Sequence, residues 1–151
     1  MIDEAGASEV TGPPKYLSIA AAVTALVGFG DSIYLTIHHL TAEPVPCSVI
    51  SGCETVLTSS FAEIGGIPIA AFGAAAYFAA FSLAVLAFYG NRLMWFLFGA
   101  LACVMAAVTA WLLYLQAFVI GAFCQFCLLS AATSLILFIT SMLGRFWNRN
   151  R

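Results

Sequence analysis

The sequence predicts an all-α integral membrane protein, a bundle of four transmembrane helices with an outer loop and a short capping helix between helices 1 and 2. Its composition is the first reason, since 63% of the residues are hydrophobic, only 8% are charged, and the mean hydropathy is +1.03. An ordinary globular chain carries about a quarter charged residues. The second reason is that four apolar stretches are long enough to cross a bilayer as helices, at residues 16–37, 67–89, 93–115 and 123–143. In a chain of 151 residues they leave no room for a second soluble domain.

The basic residues predict the orientation of this bundle. All five fall at the same ends of the predicted spans, and the opposite ends have none: Lys15, Arg92, Arg145, Arg149 and Arg151. Because cytoplasmic segments carry the excess of Lys and Arg, we expect both termini in the cytoplasm. The predicted divisions are a disordered cytoplasmic tail at 1–15, the membrane domain at 16–144 and a basic cytoplasmic tail at 145–151. The net charge of −2 supports no nucleic-acid partner.

The first predicted span contains small and ionisable residues that an apolar helix does not require. Gly28 and Gly30 are expected to let neighbouring helices approach closely. Asp31 falls in the outer leaflet, where an ionisable side chain is costly and usually faces a polar interior. It could handle protons, or it could be a protonated or hydrogen-bonded structural acid. His38 and His39 at the outer boundary are metal-ligand candidates, although adjacent histidines at a helix end are more often interfacial polar residues.

The segment between the first two spans carries two cysteines. Cys47 follows a stretch stiffened by prolines, and Gly52 permits a tight backbone approach next to Cys53. The pattern of residues 54–62 predicts a short helix that cannot span the membrane and that we expect to lie across the outer mouth of the bundle as a lid. Pro68 is expected in the first turn of the second span, where its missing N–H costs little.

A Cys-x-x-Cys pair, Cys124 and Cys127, stands where the last apolar stretch begins. At about 1.5 Å per helical residue, Cys127 lies roughly 27 Å from Arg145, so the two mark opposite membrane surfaces. In the first turn of a helix, unpaired N–H groups and the helix dipole stabilise a thiolate. The pair could be a redox centre, a structural disulfide or half of a metal site. Cys103, near the middle of the third span, is expected to be a small buried hydrophobe without a role.

Four of the five cysteines are therefore expected on the outer side, where disulfides form and persist. Two pairs of different character favour a relay. Cys47 and Cys53 would take electrons from a substrate dithiol beside water, and thiol–disulfide exchange would pass them to Cys124 and Cys127 near lipid. From there the electrons would reach a membrane quinone. Zinc bound by four cysteines fits the spacing poorly. The main alternative is a non-catalytic membrane scaffold stapled by two disulfides.

This arrangement resembles the vitamin K epoxide reductase family, and in particular its bacterial disulfide-forming members. The resemblance extends over residues 16–143, and the order of the two cysteine pairs is its most specific part. The matching residues are Tyr34-Leu35-Thr36, Cys47, Cys53, Ser59, Gly66-Ile67-Pro68, Gly73, Tyr77 and Cys124-Gln125-Phe126-Cys127-Leu128. The resemblance implies a quinone-dependent thiol oxidoreductase in a bacterial inner (plasma) membrane that makes disulfides on the exoplasmic side.

The resemblance also implies a role for each cysteine. Cys47 would meet the substrate protein, and Cys53 would exchange with Cys124. Cys127 would stand beside the quinone, in charge-transfer or covalent contact with it. The implied partner is a thioredoxin-like, DsbA-type protein on the outer side. We expect it to be a separate protein, because this chain ends at Arg151 on the cytoplasmic side.

The implied quinone site includes residues from the lid and from the second span. Ser59 would donate a hydrogen bond to the quinone head group or orient it, and Phe61 and Tyr77 are expected to belong to the same site, which needs no metal. Two positions depart from the vertebrate members, which carry a tyrosine where this chain has Ala131 and an asparagine where it has Ile69. Both are associated with holding a naphthoquinone ring. The departures favour ubiquinone or menaquinone as a plain electron acceptor over epoxide reduction.

Overall fold

The computed structural model describes residues 12–49 and 52–149, apart from the side chain of Asn148. Much of the predicted tail at 1–15, and the last two residues of the basic tail, lie outside these ranges. The helices are α1 (Lys15–Thr41), α2 (Cys53–Leu57), α3 (Ile69–Phe88), α4 (Arg92–Tyr114) and α5 (Gln125–Arg149). Helix α4 continues directly into a π-helical segment, Leu115–Ile120. Two short strands, β1 (Glu63–Ile64) and β2 (Ile67–Pro68), pair antiparallel between α2 and α3.

Four of these helical stretches are long and apolar enough to cross a membrane: Lys15–Thr41, Ile69–Phe88, Arg92–Ile120 and Gln125–Trp147. The prediction of an all-α membrane bundle with four spans is therefore confirmed. Helix α1 packs against α3 and α5, and α4 packs against the same two helices, so the four form a closed ring in which α1 and α4 are diagonal. The protein is thus a multi-pass membrane protein.

Small side chains form much of the contact between these helices. Ala21 and Ala25 of α1, and Ala80 and Ala84 of α3, are fully buried in the central core. Because lipid tails are as apolar as the side chains, helix association in a membrane depends on such close packing. Gly28 fits this expectation, since the Tyr77 ring occupies the space where a Cβ would stand.

Gly30 does not serve this purpose. No described atom lies within 4 Å of the position that a Cβ would take at Gly30, so the expectation of a close approach at this residue is wrong. The reason is rotational: positions 28, 31, 32 and 35 of α1 are buried on one face, and position 30 lies outside it. Only Gly28 of the two glycines is a packing residue among the described contacts.

The lid differs from the helix predicted over residues 54–62. The helix covers only Cys53–Leu57, and the chain then turns into the β1–β2 hairpin. Gly65 and Gly66 both have positive φ, 62° and 82°, as a two-residue type I′ hairpin turn requires. As a result Pro68 ends β2 and precedes α3, instead of standing in the first turn of the second transmembrane helix.

Candidate functional site

The structure brings the four outer cysteines into one cluster. Cys53 and Cys124 are 1% and 0% exposed, and they are buried together with Val56 of the lid. Cys47 and Cys127 are partly buried against the same cluster. Cys47 and Cys53 form a disulfide, whereas Cys124 and Cys127 are thiols. Only one of the two disulfides that the scaffold alternative needs is therefore present.

Two contacts fasten the cysteine loop to the head of α5. At Gly52 a Cβ would collide with the backbone of Phe123, so only glycine lets the loop come this close. The N–H of Val49 donates to Oε1 of Gln125 at 3.1 Å. These contacts place Cys53, the neighbour of Gly52, over the start of the last helix.

Cys124 is the N-cap residue of α5. The helix begins at Gln125, two residues later than the predicted span, and the carbonyl of Cys124 accepts the N–H of Leu128 at 3.0 Å. Cys124 thus precedes the first turn, and only Cys127 lies within it. N-cap residues use their side chain to accept the free N–H groups of the first turn, and here a sulfur does so.

The electrostatics of Cys124, which lies outside the membrane-spanning part of α5, favour a thiolate. The thiol of Cys127 donates a hydrogen bond to the Cys124 sulfur, and the backbone N–H groups of Cys127 and Phe126 add to it. Together they lower the pKa of Cys124 to about 7, although burial acts in the opposite direction. The two sulfurs are therefore unequal: Cys124 is the better leaving group and Cys127 holds the remaining proton.

Gln116 is a site residue that the sequence reasoning missed. It lies in the π-helical segment and is 3% exposed. Its Oε1 accepts the N–H of Cys124 at 3.3 Å, and its side chain is also hydrogen-bonded to the Cys127 thiol. Short π-helical insertions are frequent at functional sites. The available signal was a lone amide in an apolar span, which is costly unless it has partners.

A cavity of about 310 Å³ lies beneath the lid, and it is lined by the hairpin and by all four long helices, α1, α3, α4 and α5. All four residues expected at the quinone site line it: Ser59, Phe61, Tyr77 and Cys127. Ile69 and Ala131, the two positions that depart from the vertebrate members, also line it. Most of the other lining residues are apolar, as is usual for pockets that hold small organic molecules.

The hydroxyl groups of two of these residues are occupied. Tyr77 donates to the Ser130 carbonyl at 2.7 Å and is in hydrogen-bond contact with Thr133 and Ser134 at 2.7 and 2.9 Å. Tyr77 therefore lines the cavity with its ring, while its hydroxyl group is bonded elsewhere. The Ser59 hydroxyl donates to the Val56 carbonyl at 2.7 Å, so its oxygen is positioned to accept, and donation to a ligand would require this bond to break.

The histidines at the end of α1 have separate surroundings. His39 lines the cavity, and its Nε2 lies 2.6 Å from Oε1 of Glu63 in β1, a contact that ties the hairpin to α1. The His38 ring packs against Tyr34 with centroids 4.4 Å apart and the ring planes inclined by 56°. Across residues 12–49 and 52–149, no three His, Cys, Asp or Glu side chains come together as metal ligands.

Two further residues that the sequence singled out are Cys103 and Asp31. Cys103 is exposed on α4, so the expectation of a buried hydrophobe is wrong, because its position faces away from the ring of helices. Asp31 is buried on α1, and neither of its carboxylate oxygens has a hydrogen-bond partner among the described residues.

Fold and site together define a multi-pass membrane protein in which two cysteine pairs, one closed and one open, form one cluster, and Cys127 of this cluster lines an apolar cavity. The family model of the vitamin K epoxide reductase family matches residues 19–142. The chain therefore belongs to the vitamin K epoxide reductase family, as the sequence predicted. Membership implies an oxidoreductase that acts on thiols and disulfides, which agrees with the Cys47–Cys53 disulfide and the nearby thiol pair.

Proposed function

We propose that this protein is a quinone-dependent thiol oxidoreductase that makes disulfides on the exoplasmic side of a bacterial inner (plasma) membrane. A thioredoxin-like protein on the outer side delivers electrons, and ubiquinone or menaquinone in the membrane accepts them. Both termini are cytoplasmic, in keeping with the basic residues at one set of helix ends. The observation that carries the proposal is the single cluster in which Cys53 is buried with Cys124, while Cys127 lines the cavity.

The exposure of the cysteines supports an order for the first exchange steps. Cys47 is the less buried sulfur of its disulfide, so the partner's thiolate attacks Cys47, the S–S bond breaks, and Cys53 becomes a thiolate inside the cluster. This thiolate attacks Cys124 of a closed Cys124–Cys127 pair. A Cys53–Cys124 bond forms, and Cys127 leaves as a thiolate.

Two more exchanges complete the transfer. The partner's second thiol displaces Cys47 and closes the partner's own disulfide. The Cys47 thiolate then attacks Cys53, restores the Cys47–Cys53 bond and releases Cys124. One dithiol has been oxidised and one disulfide reduced. The product, with Cys47–Cys53 closed and Cys124 and Cys127 as thiols, is the state that the structure holds.

The cavity fits a quinone head group in size and chemistry. Its volume of about 310 Å³ is at the lower end of the roughly 300–1,000 Å³ of small-molecule pockets. Phe61 and the Tyr77 ring would flank the ring system, Ser59 would orient an oxygen, and Cys127 would face it. When bound, a quinone supplies an acceptor for two electrons and two protons.

The test uses purified protein, a reduced thioredoxin-like protein as electron donor and a ubiquinone or menaquinone analogue as acceptor. Quinone loss is followed by absorbance and donor oxidation by thiol trapping. Cys127→Ala should abolish both, and the matched control Cys103→Ala should retain both, because Cys103 lies outside the cluster. A non-catalytic scaffold predicts no quinone loss with either the unmodified protein or its variants. Turnover by Cys127→Ala would contradict the proposed relay.

A further inference from the structure

Two contacts fix the level of Asp31 relative to α5. One turn toward the outer end of α1, the Tyr34 ring packs against Phe126 with centroids 5.2 Å apart. One turn the other way, Gly28 receives the ring of Tyr77, whose hydroxyl bonds to Ser130. Helices α1 and α5 run in opposite directions, so Asp31 lies opposite the turn of α5 between residues 126 and 130. That turn contains Cys127.

The surroundings of Asp31 provide neither a cation nor a hydrogen-bond donor. The side chain is 8% exposed, and within the described parts of the chain both its oxygens lack a partner. The described basic residues, Lys15, Arg92, Arg145 and Arg149, are at the opposite ends of the spans. A buried carboxylate without compensation is costly in a membrane and usually functional. The carboxylate also acts electrostatically, though weakly, on the thiols of Cys124 and Cys127.

Oxidation of the Cys124–Cys127 thiol pair requires an acceptor for the proton of the Cys127 thiol. In the reduced pair Cys127 donates a hydrogen bond to Cys124, and a disulfide cannot form until Cys127 has lost that proton. The pair is largely shielded from water, since Cys124 is completely buried and the cavity beside Cys127 is mainly apolar. The other titratable side chains toward this end of α1 and α3 are Tyr34, His38, His39 and Tyr77. His39, which lines the cavity, is already paired with Glu63 at 2.6 Å. The Tyr77 hydroxyl is already bonded to Ser130.

We propose that Asp31 is the proton acceptor for the Cys127 thiol. The S–H bond of Cys127 breaks, an O–H bond forms on Asp31, and no electrons move in this step. The oxidation that follows rests on the function proposed above: the Cys124–Cys127 bond forms, and its electron pair goes to a quinone. The proton on Asp31 supplies one of the two that the reduced quinone gains. The second comes from the outer solution, into which the partner's dithiol released its protons.

The first test needs no quinone. Infrared difference spectra between the dithiol and disulfide forms are recorded on quinone-free protein, using a chemical reductant and oxidant. The protonated-carboxyl C=O band should change with redox state in the unmodified protein, and Asp31→Asn should remove this change. The matched control Glu63→Gln should keep it, because Glu63 is in β1 and pairs with His39. No change in the unmodified protein, or the same change in Asp31→Asn, would overturn the proposal.

The second test separates proton transfer from a structural role. Asp31→Asn should lower the single-turnover rate of quinone reduction by about 10²- to 10⁴-fold, the usual contribution of a positioned proton acceptor. It should leave electron transfer from the partner to Cys124 and Cys127, measured by thiol trapping, at the rate of the unmodified protein. Equal slowing of both steps would mean that Asp31 is structural. If the unmodified protein reduces no quinone, the proposed function fails, and the infrared result still decides the role of Asp31.

Discussion

Replacing Gly28 with alanine should displace the Tyr77 ring from the wall of the cavity. The added Cβ would overlap three ring carbons of Tyr77, whereas at Gly30 on the same helix it would meet nothing within 4 Å. Both substitutions gain helix propensity of up to about 1 kcal/mol. Overpacking at Gly28 costs about 1–3 kcal/mol. Because the propensity gain is common to both, Gly28→Ala should be about 1–3 kcal/mol less stable than Gly30→Ala.

The stability difference between the two variants should reach its upper range if the displaced Tyr77 ring also loses hydrogen bonds. The Tyr77 hydroxyl bonds to Ser130 and Thr133 at 2.7 Å, and losing such a bond costs about 0.5–1.5 kcal/mol net. Thermal unfolding of both variants in one detergent should show Gly28→Ala melting lower, by about 2–4 °C for each kcal/mol. Equal melting temperatures would refute the close packing of Gly28 on Tyr77 and with it the position of this cavity wall.

Two further predictions concern the head of α5. In reduced Cys103→Ala protein, thiolate absorbance should show Cys124 titrating with a pKa of about 7, and Cys127→Ala should move it up toward the ordinary thiol value of roughly 8.5. Because folding lowers the pKa of Cys124, its thiolate stabilises the folded reduced protein at pH values above the ordinary thiol pKa. This stabilisation is lost as the pH falls through about 7. A titration that Cys127→Ala leaves unchanged would show that this hydrogen bond is not the cause. Gln125→Ala removes the acceptor of the Val49 N–H. Hydrogen exchange at the Val49 amide should therefore become up to about tenfold faster. An unchanged exchange rate would show that this contact does not hold the loop.

The four spans could be predicted because a bilayer demands long apolar helices. The meeting of four cysteines at one end of the bundle followed from the order of the spans, whereas the side of the membrane on which they lie stays a prediction from the basic residues. The lid could not be predicted in detail. Val56, Leu57 and Phe61 satisfy the helical spacing of residues 54–62 equally well whether the chain continues as a helix or turns at Leu57. The decisive signal was local, the Gly65-Gly66 turn that pairs β1 with β2.

Gln116 could not be found from spacing alone. Its contacts join the end of one span to the beginning of the next across the Gly121 turn, where φ is 69°, and the π-helical segment rotates the register by which α4 would be extrapolated. The resemblance to the family likewise supplied Ser59 but not the bond of Ser59 to Val56. The roles of the individual site residues stay predictions. The structure places Ser59, Phe61, Tyr77 and Cys127 around one cavity, and it places the other three cysteines in the cluster beside it.

The unequal sulfurs of the Cys-x-x-Cys pair bear on the direction of the proposed relay. In the last exchange, Cys47 attacks Cys53 and Cys124 leaves, and a thiol of lower pKa leaves faster. The lowered pKa of Cys124 has a structural origin, because its sulfur caps α5 and accepts the Cys127 hydrogen bond. In the same arrangement Cys127 keeps the second proton of the reduced pair. One helix start therefore favours closure of the Cys47–Cys53 disulfide and also creates the need for a proton acceptor at the level where Asp31 lies.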